Sequence, residues 1–179
     1  MSWFHPTRTF KAMVGAEGGS TGLDDSYAAK AFEGVGASIM GRNMFSPHRG
    51  PWADEEWQGW WGDEPPFKHP VFVLTHHPRP TLEFENGTSF HFVNGTPEQV
   101  LKQAQEAAGG KDVKVNGGVS TVRAFWKARL LDELHLVMAP VFVGDGERLL
   151  GGLGVENDYQ VEGFDASEAA VHYRIVRKY

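Results

Sequence analysis

Apolar positions along the chain switch between helical spacing and short unbroken runs. After Asp24 and Asp25, the residues Tyr27, Ala28, Ala31 and Phe32 recur at helical spacing. This predicts a helix over 26–32, with Asp24 or Asp25 as N-cap and Gly34 and Gly36 as its stop. Ala37–Met40 is a short buried strand ended by Gly41, and Val71–Leu74 is an apolar run of the kind buried on both faces. Between them, residues 52–61 carry Trp52, Trp57, Trp60 and Trp61 among acids and read as a short helix broken at Pro65-Pro66. Leu82–Glu85 and Ser89–Val93 flank Asn86-Gly87, the signature of a type I′ hairpin turn. Thr96-Pro97-Glu98-Gln99 is a helix start with a capping box and proline at the first helical position, and that helix reaches about Ala108 before Gly109-Gly110.

Val113 and Val115 mark another strand, which runs into Asn116-Gly117-Gly118. The helix after it carries Val119, Val122, Phe125 and Trp126 on one side. Leu134–Val143 reads as a long strand with a bulge or an exposed edge at Pro140. Residues 144–154 hold five glycines and form a loop, and 159–164 with 169–176 read as a closing antiparallel pair. Alternation of this kind predicts an α/β fold of three layers, α-β-α. Its central sheet is mostly parallel, with antiparallel strands at the C-terminal end. Residues 1–179 are read as one domain, and 1–23 as an irregular lead-in.

Composition narrows the classes. The chain has 179 residues, 41% hydrophobic and 22% charged, enough for a core without staples. It has no cysteine, so disulfides, thiolate nucleophiles and cysteine-based zinc sites are excluded, which fits a reducing compartment. Net charge is −6 with scattered basic residues, unlike the basic face of a nucleic-acid binder. The first six residues lack the basic and apolar regions of a signal peptide, and no run approaches the ~20 apolar residues of a membrane helix. A cytoplasmic location is expected, with no membrane or nucleic-acid partner. The eight histidines show no His-Glu-x-x-His pattern, so no metal site is expected.

In parallel α/β sheets, ligands bind at the carboxyl ends of the strands. Three such ends carry suitable chemistry. Strand 37–40 ends in Gly41-Arg42-Asn43, a tight turn with a planar cationic fork for phosphate. Strand 71–74 ends at Leu74 and passes into Thr75-His76-His77. Strand 113–115 ends in Asn116-Gly117-Gly118 before a helix that opens Val119-Ser120-Thr121, where bare backbone N–H groups form an anion site. Each has an ordinary alternative: a turn with a surface arginine, exposed imidazoles, a structural glycine turn. The absence of Gly-x-Gly-x-x-Gly after a strand separates the pattern from the Rossmann fingerprint.

The segments Ile39-Met40-Gly41-Arg42-Asn43-Met44-Phe45 and Val115-Asn116-Gly117-Gly118-Val119-Ser120-Thr121 resemble the Gly-Arg and Gly-Gly loops of dihydrofolate reductases. Leu134–Gly146, with its Ala-Pro-Val and Gly-Asp-Gly, is similar to the reductase domain of the riboflavin-pathway bifunctional deaminase/reductase. The chain thus resembles a stand-alone member of that C-terminal domain family, from about residue 24 to the end. The resemblance implies a dihydrofolate-reductase-like fold that binds NADPH and transfers hydride to a pyrimidine- or pterin-like heterocycle, such as 5-amino-6-(5-phosphoribosylamino)uracil. It places Gly41, Arg42 and Asn43 at the cofactor phosphates and Leu74, Thr75 and His76 by the adenosine 2′-phosphate. It places Gly117, Gly118, Val119, Ser120 and Thr121, after Asn116, at the pyrophosphate. Asp25 matches the substrate-binding acid, with a helix N-cap as the alternative. A homodimer is implied as well.

One departure stands out. The family's first strand, with its Ser-x-Asp-Gly-like turn, is not found in residues 1–23, so a shortened start or an unusual replacement is expected. A catalytically inactive nucleotide-binding module is the rival reading, and a structural or partner-binding protein a third. The four tryptophans are an aromatic wall for a ring, a subunit interface, or packing.

Overall fold

The computed structural model describes residues 3–53 and 56–179. In chain order the helices and strands are α1 (Arg8–Met13), α2 (Leu23–Lys30), β1 (Val35–Gly41), α3 (Arg42–Phe45), β2 (Pro70–Leu74), β3 (Leu82–Glu83), β4 (Ser89–Val93), α4 (Pro97–Ala108), β5 (Asp112–Gly117), α5 (Val119–Lys127), β6 (Glu133–Met138), β7 (Tyr159–Ala166) and β8 (Val171–Arg177). They fall into two compact units, Gly34–Leu130 and the discontinuous Met1–Glu33 with Leu131–Tyr179.

The Gly34–Leu130 unit is a five-stranded sheet in the order β3-β4-β2-β1-β5. Strands β4, β2, β1 and β5 are parallel, and only β3 runs antiparallel, against β4. Val71 pairs with Phe90, and Val73 with both Met40 and Phe92, so these five apolar residues share one face of the pleat. Phe45 completes that buried cluster, and Trp52, Trp57, Trp61, Phe67, Leu82 and Phe84 pack against it half-buried. The helix expected over 52–61 does not form in residues 52–53 and 56–61; Asp54 and Glu55 lie outside the described residues. Three of its tryptophans serve core packing instead. Trp57 donates its indole N–H to Phe45 O at 2.9 Å and Trp52 to His77 O at 2.6 Å, which satisfies the polar edge of each buried ring.

The hairpin also departs from expectation. Gly87 has φ +85°, but the only non-glycine residues with positive φ are Lys68 and Arg129 among those described, so Asn86-Gly87 is not a type I′ turn. Instead Gly87 N–H donates to Phe84 O, and Phe84 N–H to Thr88 O, the pattern of a longer loop closed by a left-handed glycine. The α4 start is as expected. Thr96 accepts from Gln99 N–H, Gln99 returns the bond to Thr96 N–H, and Gly109 ends the helix at φ +60°. Buried Val100, Ala104 and Ala108 form the stripe on a helix that lies against β1, β2 and β5.

The other unit is built on a three-stranded antiparallel sheet, β6-β8-β7. The C-terminal strands pair as expected, but with β6 they make a sheet of their own rather than an edge of the parallel one. Strand β6 stops at Met138, because Pro140 has no N–H to donate and Val141–Val143 remain exposed. The lead-in is not wholly irregular: it contains α1, capped by the Thr7 hydroxyl on Phe10 N–H, and an isolated parallel bridge between Thr7 and Ser20. Gly22, not Asp24 or Asp25, is the N-cap of α2, so both acids lie in its first turn. No strand precedes α1 among the described residues.

Candidate functional site

Because β4, β2, β1 and β5 are parallel, their carboxyl ends share one edge. From β1 the chain goes to β2 and β4 on one side, then crosses through α4 to β5 on the other. The order therefore reverses between β1 and β5, which is where a ligand crevice opens in such sheets. The two glycine motifs meet there. A Cβ on Gly41 would collide with Thr121 Oγ1, so only glycine lets the end of β1 close against the start of α5. Gly117, at φ +132°, occupies a conformation closed to side-chain-bearing residues, and the Gly117-Gly118 peptide is cis. Gly118 is the N-cap of α5 without a side-chain bond, so the first amides of the helix, Val119 to Thr121, point outward uncapped.

Next to this turn, Arg42 is 8% exposed. Its Nη1 donates to Gly50 O at 3.0 Å and lies 3.4 Å from Thr75 Oγ1, while Nε and Nη2 are buried without a partner among the described residues. Burial pulls the guanidinium pKa down from its usual value. The Thr75 hydroxyl is itself held by His77 N–H at 3.0 Å, and Thr75 N–H by Val93 O. The Trp52 ring lies 3.2 Å from the Arg42 guanidinium, measured to its centroid, and Arg79 lies 4.1 Å from the same ring. A cleft of about 310 Å³ opens beside them, and its lining includes Arg42, Asn43, Leu74, Thr75 and His76. Asn116 Nδ2 is a further buried donor without a partner among the described residues. Unused donors on Arg42, Asn116 and α5 all demand an acceptor, which is the chemistry of an anion site.

Two of the three strand ends chosen from sequence thus line one cleft, and the third meets the first at Gly41. His77, named with the second strand end, lines the cleft too, and Arg49, Gly50, Val93, Asn94 and Gly95 join it without having been singled out for it. Asn94 and Gly95 follow the fourth parallel strand, so the same strand-end rule could have found them. Arg49 lies on a loop with no pattern to mark it.

Asp25 belongs to the other unit. Its Oδ1 accepts from Thr9 N–H and Thr9 Oγ1, both at 2.8 Å, and Oδ2 lies 3.6 Å from Arg8. These bonds, the backbone one first, hold its carboxyl below the usual carboxylate range. Asp25 therefore stitches α1 to α2. No group of three or more potential metal ligands exists among the described residues. No described helix is long and apolar enough to cross a membrane.

The RibD C-terminal domain model matches residues 6–173. No curated protein matches the chain. Among solved structures, a putative riboflavin biosynthesis protein from Shewanella sp. PV-4 superposes at TM-score 0.65 with 22% identity, over 94% of this chain and 88% of that one. The diaminohydroxyphosphoribosylaminopyrimidine deaminase/5-amino-6-(5-phosphoribosylamino)uracil reductase of Thermotoga maritima gives 0.56 and 12%, over 91% of this chain and 51% of that one, so this chain spans about half its length. A pyrimidine reductase-like protein of Corynebacterium diphtheriae gives 0.52 and 14%, over 89% and 83%. At such identities the likeness is one of fold.

Proposed function

The chain belongs to the RibD C-terminal domain family, and on that premise we propose that it is an NADPH-dependent reductase acting on a pyrimidine- or pterin-like small molecule. The observation that carries this reading is the pair of unused, buried donors on Arg42, a residue that lines a cleft at the β1 end of a parallel sheet. The residues present suit the cofactor. Arg42 and Asn43, with Thr75 and His76, offer donors for phosphate oxygens, which favours NADPH over NADH. The bare amides of Val119–Thr121 suit the pyrophosphate, and Gly117-Gly118 keeps side chains out of its way. When bound, NADPH supplies hydride to a polarised C=N or C=O of the substrate. The protein's part is to hold the phosphates and orient the ring. We assign Asp25 to the substrate, as the acid that hydrogen-bonds the heterocycle. The reading includes a cytoplasmic homodimer, checked by light scattering of the full chain.

A second reading, a nucleotide-binding module without turnover, is favoured by one observation: Thr9 and Arg8 already engage both oxygens of Asp25. Titration of the protein with NADPH and with NADH, followed by tryptophan fluorescence, tests the cofactor site. The expected result is saturable binding that prefers NADPH and weakens about tenfold or more in Arg42→Ala, the loss of a charge-assisted bond. Failure of folded wild-type protein to bind either nucleotide overturns both readings. Binding without turnover of any pyrimidine or pterin substrate selects the second. Asp25→Ala with unchanged turnover and substrate affinity removes Asp25 from the site.

A further inference from the structure

A second cluster of titratable groups lies wholly within the discontinuous unit. In the β6-β8-β7 sheet, His172 stands opposite Val137 on β6 and Asp165 on β7, while His135 stands opposite Arg174. His135 is thus the diagonal neighbour of His172 on the same face, within reach of a ring. Helix α2 presents Asp24 and Tyr27, three positions apart and so on one side, to this face. Asp24 Oδ1 lies 2.7 Å from His172 Nε2, and His172 Nδ1 lies 2.9 Å from His135 Nε2. Tyr27 stacks parallel on His172 at 4.3 Å and donates its hydroxyl to Asp165 at 2.5 Å. That bond pushes the Tyr27 phenol up, so it stays a donor. Trp3 meets both imidazoles edge-on.

With Asp24 ionised and His172 neutral, the contacts fix where the hydrogens lie. An ionised Asp24 has none to give, so His172 carries one on Nε2. A neutral His172 then has a bare Nδ1, so His135 carries its hydrogen on Nε2. His172 is fully buried, whereas His135 is exposed. One proton taken up at His135 keeps both of these hydrogen bonds. The hydrogen on His135 Nε2 crosses to His172 Nδ1, and the positive charge comes to rest beside Asp24. A second proton puts two N–H groups face to face across 2.9 Å, and the contact must open. Other charges around the pair are Lys30 on α2, Glu133 on β6, Glu162 and Asp165 on β7, and Arg174 on β8. Arg174 is paired with Glu133 at 2.7 Å and with Glu162.

We infer that Asp24, His172 and His135 form a proton relay that fastens α2 to the three-stranded sheet, accepts one proton without rearranging, and parts the two imidazoles on the second. The inference is independent of the reductase reading, because none of its groups belongs to the anion cleft.

The test uses the full chain with labelled histidine. Long-range nitrogen–proton spectra at neutral pH are expected to show His172 protonated on Nε2. The His172 Nδ1–H gained in the first protonation is expected to exchange slowly, and its exchange to quicken about tenfold or more on the second, the cost of a lost charge-assisted bond. In His135→Ala, which alters an exposed side chain, the second step should vanish and the His172 Nδ1–H should exchange fast from the first protonation on. In Asp24→Asn the tautomer lock is lifted, and His172 should show a mixture of Nε2–H and Nδ1–H. A neutral wild-type His172 whose hydrogen is on Nδ1, or His172 Nδ1–H exchange with the same pH profile in wild type and His135→Ala, overturns the relay. The wild-type tautomer needs no variant, so a poorly folding Asp24→Asn leaves the decision intact.

Discussion

At the scale of single residues, burial and hydrogen bonding decide roles that side-chain chemistry leaves open. Asp25 titrates below its ordinary 3.8 because Thr9 bonds favour the carboxylate. Its contribution to stability is therefore full above that value and is lost as pH falls through the lowered one. Asp25→Asn is expected to be less stable than wild type at neutral pH, with the gap closing below pH 3.8 in urea titrations at a series of pH values. Lys114 shows the opposite case. It lies on β5 cross-strand from Ser38, whose hydroxyl contacts His69 Nε2 at 2.8 Å, and burial lowers its pKa from 10.5 to about 8. The same burial, then Lys114 and Lys111, lowers His69. A depressed lysine pKa means that the folded state releases a proton the unfolded chain keeps, so wild-type stability rises as pH climbs from about 8 toward 10.5. Lys114→Met is expected to gain on the order of 1 kcal/mol at pH 7 and to lose that gain across the same window.

At the scale of elements, local sequence signals succeed where the element is self-contained. The α4 cap is one: all its parts sit within Thr96–Gln99. Thr96→Ala is expected to cost about 1 kcal/mol by chemical denaturation. The Gly41 turn is different, since its glycine is required by Thr121, eighty positions later. Gly41→Ala is expected to destabilise the Gly34–Leu130 unit, and Thr121→Ala in the same chain to restore much of the loss, read as a double-mutant cycle. The tryptophan segment departs from its helical pattern for a similar reason. Its spacing resembles a helix, but the rings are spent on the sheet face formed by Met40, Val73, Phe90 and Phe92, and on carbonyls of Phe45 and His77. Strand β6 is shorter than its apolar pattern predicts, because Val141–Val143 continue a pattern that the missing N–H of Pro140 ends.

At the scale of the whole molecule, the two units differ in how the chain enters them. Gly34–Leu130 is continuous, while its companion joins the first 33 residues to the last 49. Strand β8 is central in the second sheet and carries His172, the partner of Asp24. A chain ending at Ala166 is therefore expected to lose hydrogen-exchange protection in Thr7–Lys30, far away in sequence. Retained protection there would show that α1 and α2 stand without the sheet.

The sequence by itself determined the α/β class, the α4 cap, the parallel strands and the Gly-Arg and Gly-Gly motifs, because each rests on short-range periodicity or on a residue's own backbone preferences. It also pointed to the RibD C-terminal domain family. Only the tertiary structure decided that Arg42 keeps buried donors unused, that Asp25 is bound to Thr9, and that Asp24 meets a histidine 148 positions away. Those facts depend on which groups are brought out of water together. Pattern along a chain records which side of an element is apolar, but not which polar group it will face once the strands are in register.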